Sequence, residues 1–529
     1  MDDATITFVV LGVAVALFVW NKLPVGVVAL GAALALYATD VISVDEAFAG
    51  FGDPTVIFIA SLFIVSEALD STGVTTWAGQ RLVAAAGSSD ARLVIYVLLL
   101  AAGLSAILTP NGAVAALLPM TVLVAMRLGR APSKVLMPMA FSAHAGALLV
   151  LTGSPVNVLV ADEAGSLGVG RFGFFEFALV GIPLTVGAVA IGVLLGPRLL
   201  PQREPHALSV DLSGHARTLM RQYLADGGAV VRRHEAPETL FTRRSGVAEV
   251  VVPPRSPLVG ETFFPGMVTP SGDLLVLAIQ RRGADTGPQA VALAAGDVLL
   301  LEGSWEALDE HLGDDQVLVV DPPEAIRRQT VPLSAGARRA MVIVVAMVAA
   351  LATGIMPAAV AGALAAMTMV VLGVLRTEEA YRAVSWTAVV LIAGLIPVST
   401  ALQDTGAADK IASVLLDIVG DAGPHALLIG LFVVAAAFSV AVSNTATALI
   451  LIPVAVSAAD TLDISARPVL MSVAVGCSAA FLTPISTPGN LMIMGPAGYR
   501  FGDYWRFGLP MLGLFFVVAV LWVPVVWRF

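Results

Sequence analysis

Cysteine is almost missing from this chain. Cys477 stands alone, which excludes an internal disulfide framework and, with no second thiol beside it, a cysteine-built metal cluster. Charge is scarce as well. Only 13% of the 529 residues are Asp, Glu, Lys or Arg, about half the ~25% of an ordinary soluble domain. The start, Met1-Asp2-Asp3-Ala4, lacks the basic flank of a secretory signal, so the first apolar run reads as a retained helix. No phosphate-cradling G-x-x-x-x-G-K-[ST] motif occurs, so no built-in energy source and no enzyme activity is expected.

Hydrophobic residues make up 58% of the chain, and the mean hydropathy is +0.90. The composition is that of a polytopic α-helical membrane protein. Apolar runs cover residues 4–20, 23–40 and 54–72, and a mixed stretch at 73–91 reads as an interfacial amphipathic helix. Runs 92–108 and 112–127 are short for two crossings of ~20 residues. The link between them, Thr109-Pro110-Asn111-Gly112, carries no charge. A re-entrant hairpin with its tip at Asn111 fits better, since irregular backbone at membrane depth survives only where protein or a cavity covers it. Residues 134–162 read as a helix broken at Gly153-Ser154-Pro155, and 174–197 as a last span of this half.

After a charged stretch the pattern returns. Runs at 340–354, 357–375 and 386–402 precede a hairpin candidate over 426–459, a broken helix over 466–496 and a final span over 508–527. The polar landmarks fix the correspondence. Asn444 follows Asn111 by 333 positions, Asn490 follows Asn157 by 333, and Thr405-Gly406 follows Thr72-Gly73 by 333. A constant offset across rare polar residues marks an internal repeat. Lys and Arg gather on one set of loops (Lys22, Arg127, Arg130, Lys134, Arg376, Arg500 and the charged stretch), with Arg171, Lys410 and Arg467 as exceptions. Five crossings per half then make the second half inverted, with the charged stretch cytoplasmic and both termini outside.

Paired hairpin tips and helix breaks leave unpaired N–H groups, which suit an anion, and carbonyl and amide oxygens, which suit a small cation such as Na⁺. The run Ser443-Asn444-Thr445 and the breaks Ser154-Pro155-Val156-Asn157 and Thr487-Pro488-Gly489-Asn490 resemble those of the divalent anion:sodium symporters, the SLC13 family. The resemblance covers both membrane halves. It implies a homodimeric elevator transporter in a bacterial inner membrane. Substrate would lie against Asn111, Gly112, Ser154, Pro155, Ser443, Asn444, Thr445, Thr487 and Pro488. A coupling Na⁺ would be held by Asn111, Gly153, Asn157, Ser443, Asn444 and Asn490. Pro110 and Gly112 stand where the family has Ser and Thr, so fewer coupled ions are expected. His144, well inside a membrane segment, is an accessory candidate. Sulfate or a dicarboxylate is the expected cargo.

The charged stretch divides into a linker or degenerate partner over 201–244, a soluble α/β module over 245–320 and a linker over 321–336, between membrane repeats at 1–200 and 337–529. Strand-like runs alternate with turns, and Gly296-Asp297 precedes an apolar strand. The module resembles a TrkA-C (RCK C-terminal) domain, which implies regulation by a small ligand such as a nucleotide. A channel gated by this module, or a metalloid or anion exporter, are the other functions the pattern admits. The lipid bilayer is the expected surrounding, and no nucleic-acid partner is expected.

Overall fold

The computed structural model describes residues 2–20, 22–74, 77–78, 81, 90–127, 131–203, 245–282, 284–312, 317–320, 336–419 and 423–529. Most of the amphipathic stretch at 73–91 and most of both linkers therefore lie outside the described residues. The chain forms two compact units. One comprises Met1–Asp70, Ala78–Ser209 and Arg339–Phe529, the other Ser71–Trp77 and Val210–Arg338.

The first unit is helical. Its first half runs α1 (Asp3–Trp20), α2 (Val25–Ala38), α3 (Val44–Ala49), α4 (Pro54–Ser71), α5 (Asp90–Ile107), α6 (Pro110–Arg127), α7 (Leu136–Gly146), α8 (Pro155–Ser166), α9 (Ala178–Leu194) and the single turn α10 (Gly196–Leu199). Among the described residues of the second unit there is one helix, α11 (Trp305–His311). The second half then runs α12 (Ala337–Thr353), α13 (Ala358–Val371), α14 (Thr377–Ala383), α15 (Trp386–Asp404), α16 (Ala407–Val419), α17 (Pro424–Ala441), α18 (Asn444–Thr461), α19 (Ala466–Cys477), α20 (Pro488–Ala497) and α21 (Asp503–Val517).

The 333-residue offset survives in the element boundaries. Shifted by it, α2 lands on 358–371 and α8 begins at 488, the observed bounds of α13 and start of α20. The 3-10 turn Leu151–Gly153 lands on Pro484–Ser486. Among the described residues, five helical stretches are long and apolar enough to cross a membrane: Asp3–Trp20, Val44–Ser71, Trp386–Asp404, Asn444–Thr461 and Asp503–Val526. Val186, Val345, Met367 and Val371 are 62%, 68%, 63% and 79% exposed, an apolar exterior suited to lipid rather than water.

Small residues set the packing. A Cβ on Gly394 of α15 would stand 2.8 Å from the Leu30 backbone, one on Gly146 of α7 would stand 2.2 Å from the Ala102 carbonyl of α5, and one on Gly181 of α9 would stand 2.2 Å from the Leu148 carbonyl. Helices therefore touch backbone to backbone, as membrane bundles without a water-driven core do. Two groupings result. In one, α2 lies along α15; Gly362 of α13 faces Phe58 of α4. In the other, α5, α6 and α9 gather on α7, while α17 and α18 gather on α19. The contacts of α15 and α16 with α18 join them.

The three basic residues that break the loop charge bias are each paired with an acid. Arg171 meets Asp162 at 3.1 Å, Lys410 meets Asp2 at 3.1 Å and Arg467 meets Glu176 at 2.5 Å. Their charge is offset locally, which weakens their vote on orientation.

The second unit holds a five-stranded antiparallel sheet in the order β4-β3-β6-β1-β7. Its strands are β1 (Ser245–Val251), β3 (Leu274–Arg281), β4 (Ala284–Asp285), β6 (Val298–Ser304) and β7 (Leu318–Val319). A separate pair joins β2 (Thr262–Phe263) to β5 (Val291–Ala292). Gly296, at φ +87, makes the left-handed turn into β6 that a side chain would oppose. Beside it Asp297, 1% exposed, accepts from Arg281 Nε at 2.8 Å and Nη2 at 2.7 Å and from the Ala294 N–H at 2.8 Å. The Arg281 guanidinium holds the Asp297 carboxyl below the usual carboxylate range.

Candidate functional site

Each helix break is made by a cap and a proline. At the first, the Val156 N–H donates to Ser154 Oγ at 3.3 Å and Pro155 opens α8. At the second, the Asn490 N–H donates to Thr487 Oγ1 at 3.2 Å and Pro488 opens α20. Proline at the first helical position loses no intrahelical bond and stops the preceding segment from running through.

Both breaks are closed by the same asparagine device. Asn157 Nδ2 donates to the Ala147 carbonyl at 2.8 Å and the Val150 carbonyl at 3.0 Å. Asn490 Nδ2 donates to the Ala480 carbonyl at 2.9 Å and the Thr483 carbonyl at 3.3 Å. The acceptors are again 333 positions apart. The amide nitrogens thus satisfy carbonyls freed by the interrupted helix. The Oδ1 atoms of both residues are buried and accept no hydrogen bond among the described residues, and the same holds for Asn444 Oδ1.

The hairpins lean on the breaks of the opposite half. Helix α6 packs on α20, and α18 packs on α8. At the first crossing Asn111 Oδ1 accepts from the Gly489 N–H at 2.9 Å. A Cβ on Gly489 would stand 2.9 Å from that same oxygen, so glycine is what lets the tip seat. His144 joins this corner: its Nε2 lies 3.4 Å from Thr487 Oγ1, and its ring meets Phe481 edge-on at 6.0 Å.

Asn111, Gly112, Ser154, Pro155, Asn444 and Thr445 are half-buried, Ser443 and Pro488 are exposed, and Gly153, Asn157, His144, Thr487 and Asn490 are buried. Asn111, Thr487 and His144 come together with the second break. Among the described residues, no side-chain hydrogen bond joins Ser443, Asn444 or Thr445 to the first break. Ser443 Oγ instead caps its own helix, accepting from the Ala446 N–H at 3.3 Å. Gly153 acts by its size, since a Cβ there would stand 2.2 Å from the Ala147 carbonyl.

Three participants escape a reading by motif. Thr109 Oγ1 accepts from the Gly112 N–H at 3.2 Å. It caps α6 from one position earlier than the Ser443 equivalent, so Pro110 costs the tip no cap. Thr447 lies one turn from Asn444 on the same face of α18, and its Oγ1 is buried without a partner among the described residues. Its place inside the SNTAT run is the signal that could have found it. Tyr504, whose Oη donates to the Asn490 carbonyl at 2.6 Å, gives no such signal. Among the described residues no three His, Cys, Asp or Glu side chains come together. The oxygens gathered here belong to amides, hydroxyls and carbonyls.

A family model described as a citrate transporter, CitMHS, matches residues 15–460 and 418–529. The chain belongs to the CitMHS citrate-transporter family. It is accordingly a transporter and a multi-pass membrane protein. The uncharacterised transporter YfbS of Escherichia coli is 30% identical to it over 98% of both chains. A probable sodium/sulfate cotransporter of Chlamydomonas reinhardtii is 29% identical over 52% of this chain and 31% of its own length. The crystal structure of the YdaH transporter of Alcanivorax borkumensis, described as having an unusual topology, aligns over 97% of this CitMHS chain and 99% of its own at 17% identity, with a TM-score of 0.49.

Proposed function

We propose that this CitMHS protein carries a multivalent anion in symport with Na⁺, the anion being sulfate or a di- or tricarboxylate. The observation that carries the reading is the set of buried amide oxygens. Asn157, Asn444 and Asn490 each present an Oδ1 that no donor among the described residues satisfies. A buried acceptor without a donor costs about 1–3 kcal/mol. A small hard cation, which is bound through oxygen, is the ligand that relieves all three. The capped starts of α8, α18 and α20 offer N–H groups to the anion, whose charge the bound cation offsets. The citrate in the family's name and the sodium and sulfate in the algal relative's name support the same pairing.

Asn111 is the exception, and it bears on ion number. Its oxygen is engaged by the Gly489 N–H, so the first tip serves as a clamp on the second break. Fewer ions than tips follow from this. The hairpins and breaks would move as one block against the α2–α15 and α4–α13 group, an elevator, in a homodimer of the bacterial inner membrane. The inserted module would lie in the cytoplasm as a TrkA-C-like regulator responding to a small ligand such as a nucleotide, with both termini outside.

Uptake of labelled sulfate, succinate and citrate into proteoliposomes, with and without an inward Na⁺ gradient, tests the reading. Accumulation of one anion that collapses when Na⁺ is replaced by K⁺ is expected. Uptake of all three with no dependence on Na⁺ would overturn the cation assignment.

A further inference from the structure

The end of the first membrane half is tied to the second half through Arg203, just past α10. Its Nη1 donates to Asp503 Oδ2 at 2.6 Å and to the Gly498 carbonyl at 3.0 Å, and its Nη2 donates to Asp503 Oδ1 at 3.3 Å. Its backbone N–H donates to Ser133 Oγ at 3.1 Å. The partners are well chosen for a firm joint. Asp503 opens α21 and its side chain is 9% exposed, so the bidentate pair is largely shielded from water and salt. Gly498, at φ +64, is the residue that ends α20, so Arg203 also holds one of the free carbonyls at that helix end.

The neighbouring segment is fastened to the other broken helix. Lys134 Nζ donates to the carbonyls of Pro197, at 2.9 Å, and Leu200. Ser133 Oγ donates to the Pro201 carbonyl at 2.8 Å. Tyr499 Oη accepts from the Met137 N–H at 3.0 Å and donates to the Ser133 carbonyl at 2.5 Å. This segment therefore grips the start of α7 and the end of α20 together.

A short covalent step continues this joint to the site. Asp503 is followed by Tyr504, which is 0% exposed and donates to the carbonyl of Asn490. Asn490 is the residue that closes the second break and presents one of the three unpaired oxygens. We propose that Arg203 is a positioning residue for the transport site. It fixes Asp503 and, through Tyr504, the carbonyl of Asn490, so that the end of the first half sets the position of the second break. The far end of the insert returns elsewhere: Arg339 Nη1 at the start of α12 donates to the Leu372 carbonyl just past α13. Entry and return thus rest on different helix groups. What Asn490 does for cargo rests on the function proposed above; that Arg203 holds it does not.

Hydrogen exchange of the full chain in lipid nanodiscs, without cargo, tests this directly. R203A should speed exchange of the amides of 489–494 about tenfold, with the amides of α18 unchanged. Y504F should do the same. The double variant should exceed the larger single effect by little, because both act along one path. R203K, which keeps the charge and loses the fork, should fall between R203A and the unaltered chain. If R203A does not accumulate, D503N takes its place in the same comparison. Unchanged exchange at 489–494 in a folded R203A or D503N protein overturns the proposal, and so does full additivity with Y504F. Because no cargo is present, a failure to transport sulfate or citrate would leave this result standing, and the converse.

Discussion

At the scale of single residues, the paired asparagines divide their labour within one side chain. The nitrogen of Asn157 or Asn490 repairs a broken helix and the oxygen is left for the site. Asn490→Asp keeps the oxygens and loses the donor, so it should fold less well and still respond to Na⁺. Asn490→Ala should lose uptake altogether. Asn444→Ala removes only an unpaired oxygen and amide at the tip, so uptake should fall by at least tenfold with the melting temperature nearly unchanged; wild-type uptake would remove Asn444 from the site. Gly153→Ala places a methyl group 2.2 Å from the Ala147 carbonyl. Overpacking of this kind costs about 1–3 kcal/mol, and a lowered melting temperature in detergent would register it. In the insert, Asp297 has its pKa lowered chiefly by the Arg281 hydrogen bond. A depressed carboxylate contributes stability that is fully present above its unfolded pKa of ~3.9 and is lost as pH falls through the lower folded value. Exchange protection of β3 and β6 should therefore be flat from pH 7 to 5 and fall only below about pH 4. In Asp297→Asn it should be weaker throughout.

At the scale of elements, the crossing of α6 over α20 is the contact most open to test. Gly489→Ala adds nothing chemical, yet its Cβ would meet Asn111 Oδ1 at 2.9 Å. Uptake should drop severalfold, and Asn111→Gly on top should restore part of it by making room. A double variant as poor as G489A alone would show that the tip does not seat on α20. The hairpins and breaks were legible in the sequence because polar residues are rare in an apolar chain and these recur at one spacing. The short helices α3, α14 and α16 were not. They are brief or charge-bearing, and hydropathy sees only long apolar runs. Nor could spacing reveal what pairs across halves. Asn111 with Gly489 and His144 with Thr487 meet only in the folded chain, and no local pattern encodes a partner hundreds of positions away. The motif likewise implied two lost hydroxyls at the first tip, while Thr109 supplies the cap from the neighbouring position.

At the scale of the whole molecule, two membrane halves flank an independent sheet unit, and the deletion of that unit separates its roles. Replacing residues 245–320 by a flexible linker should leave a protein that still transports, with an altered rate or a lost response to cytosolic ligands. A monomeric, inactive product would show that the unit is a clamp between subunits. Orientation follows the same logic: cysteines placed at either terminus should react from outside and cysteines in the insert from inside. The lone thiol helps here. Cys477 is 0% exposed at the end of α19, where its carbonyl accepts from Ser439 Oγ at 3.3 Å. A sulfur enclosed on every side is a poor target for maleimide, because the reagent must reach a thiolate. The natural chain is thus nearly silent to such reagents already. Each cysteine introduced by design reports alone, and a map of its surfaces needs no thiol-free background whose folding would first have to be established.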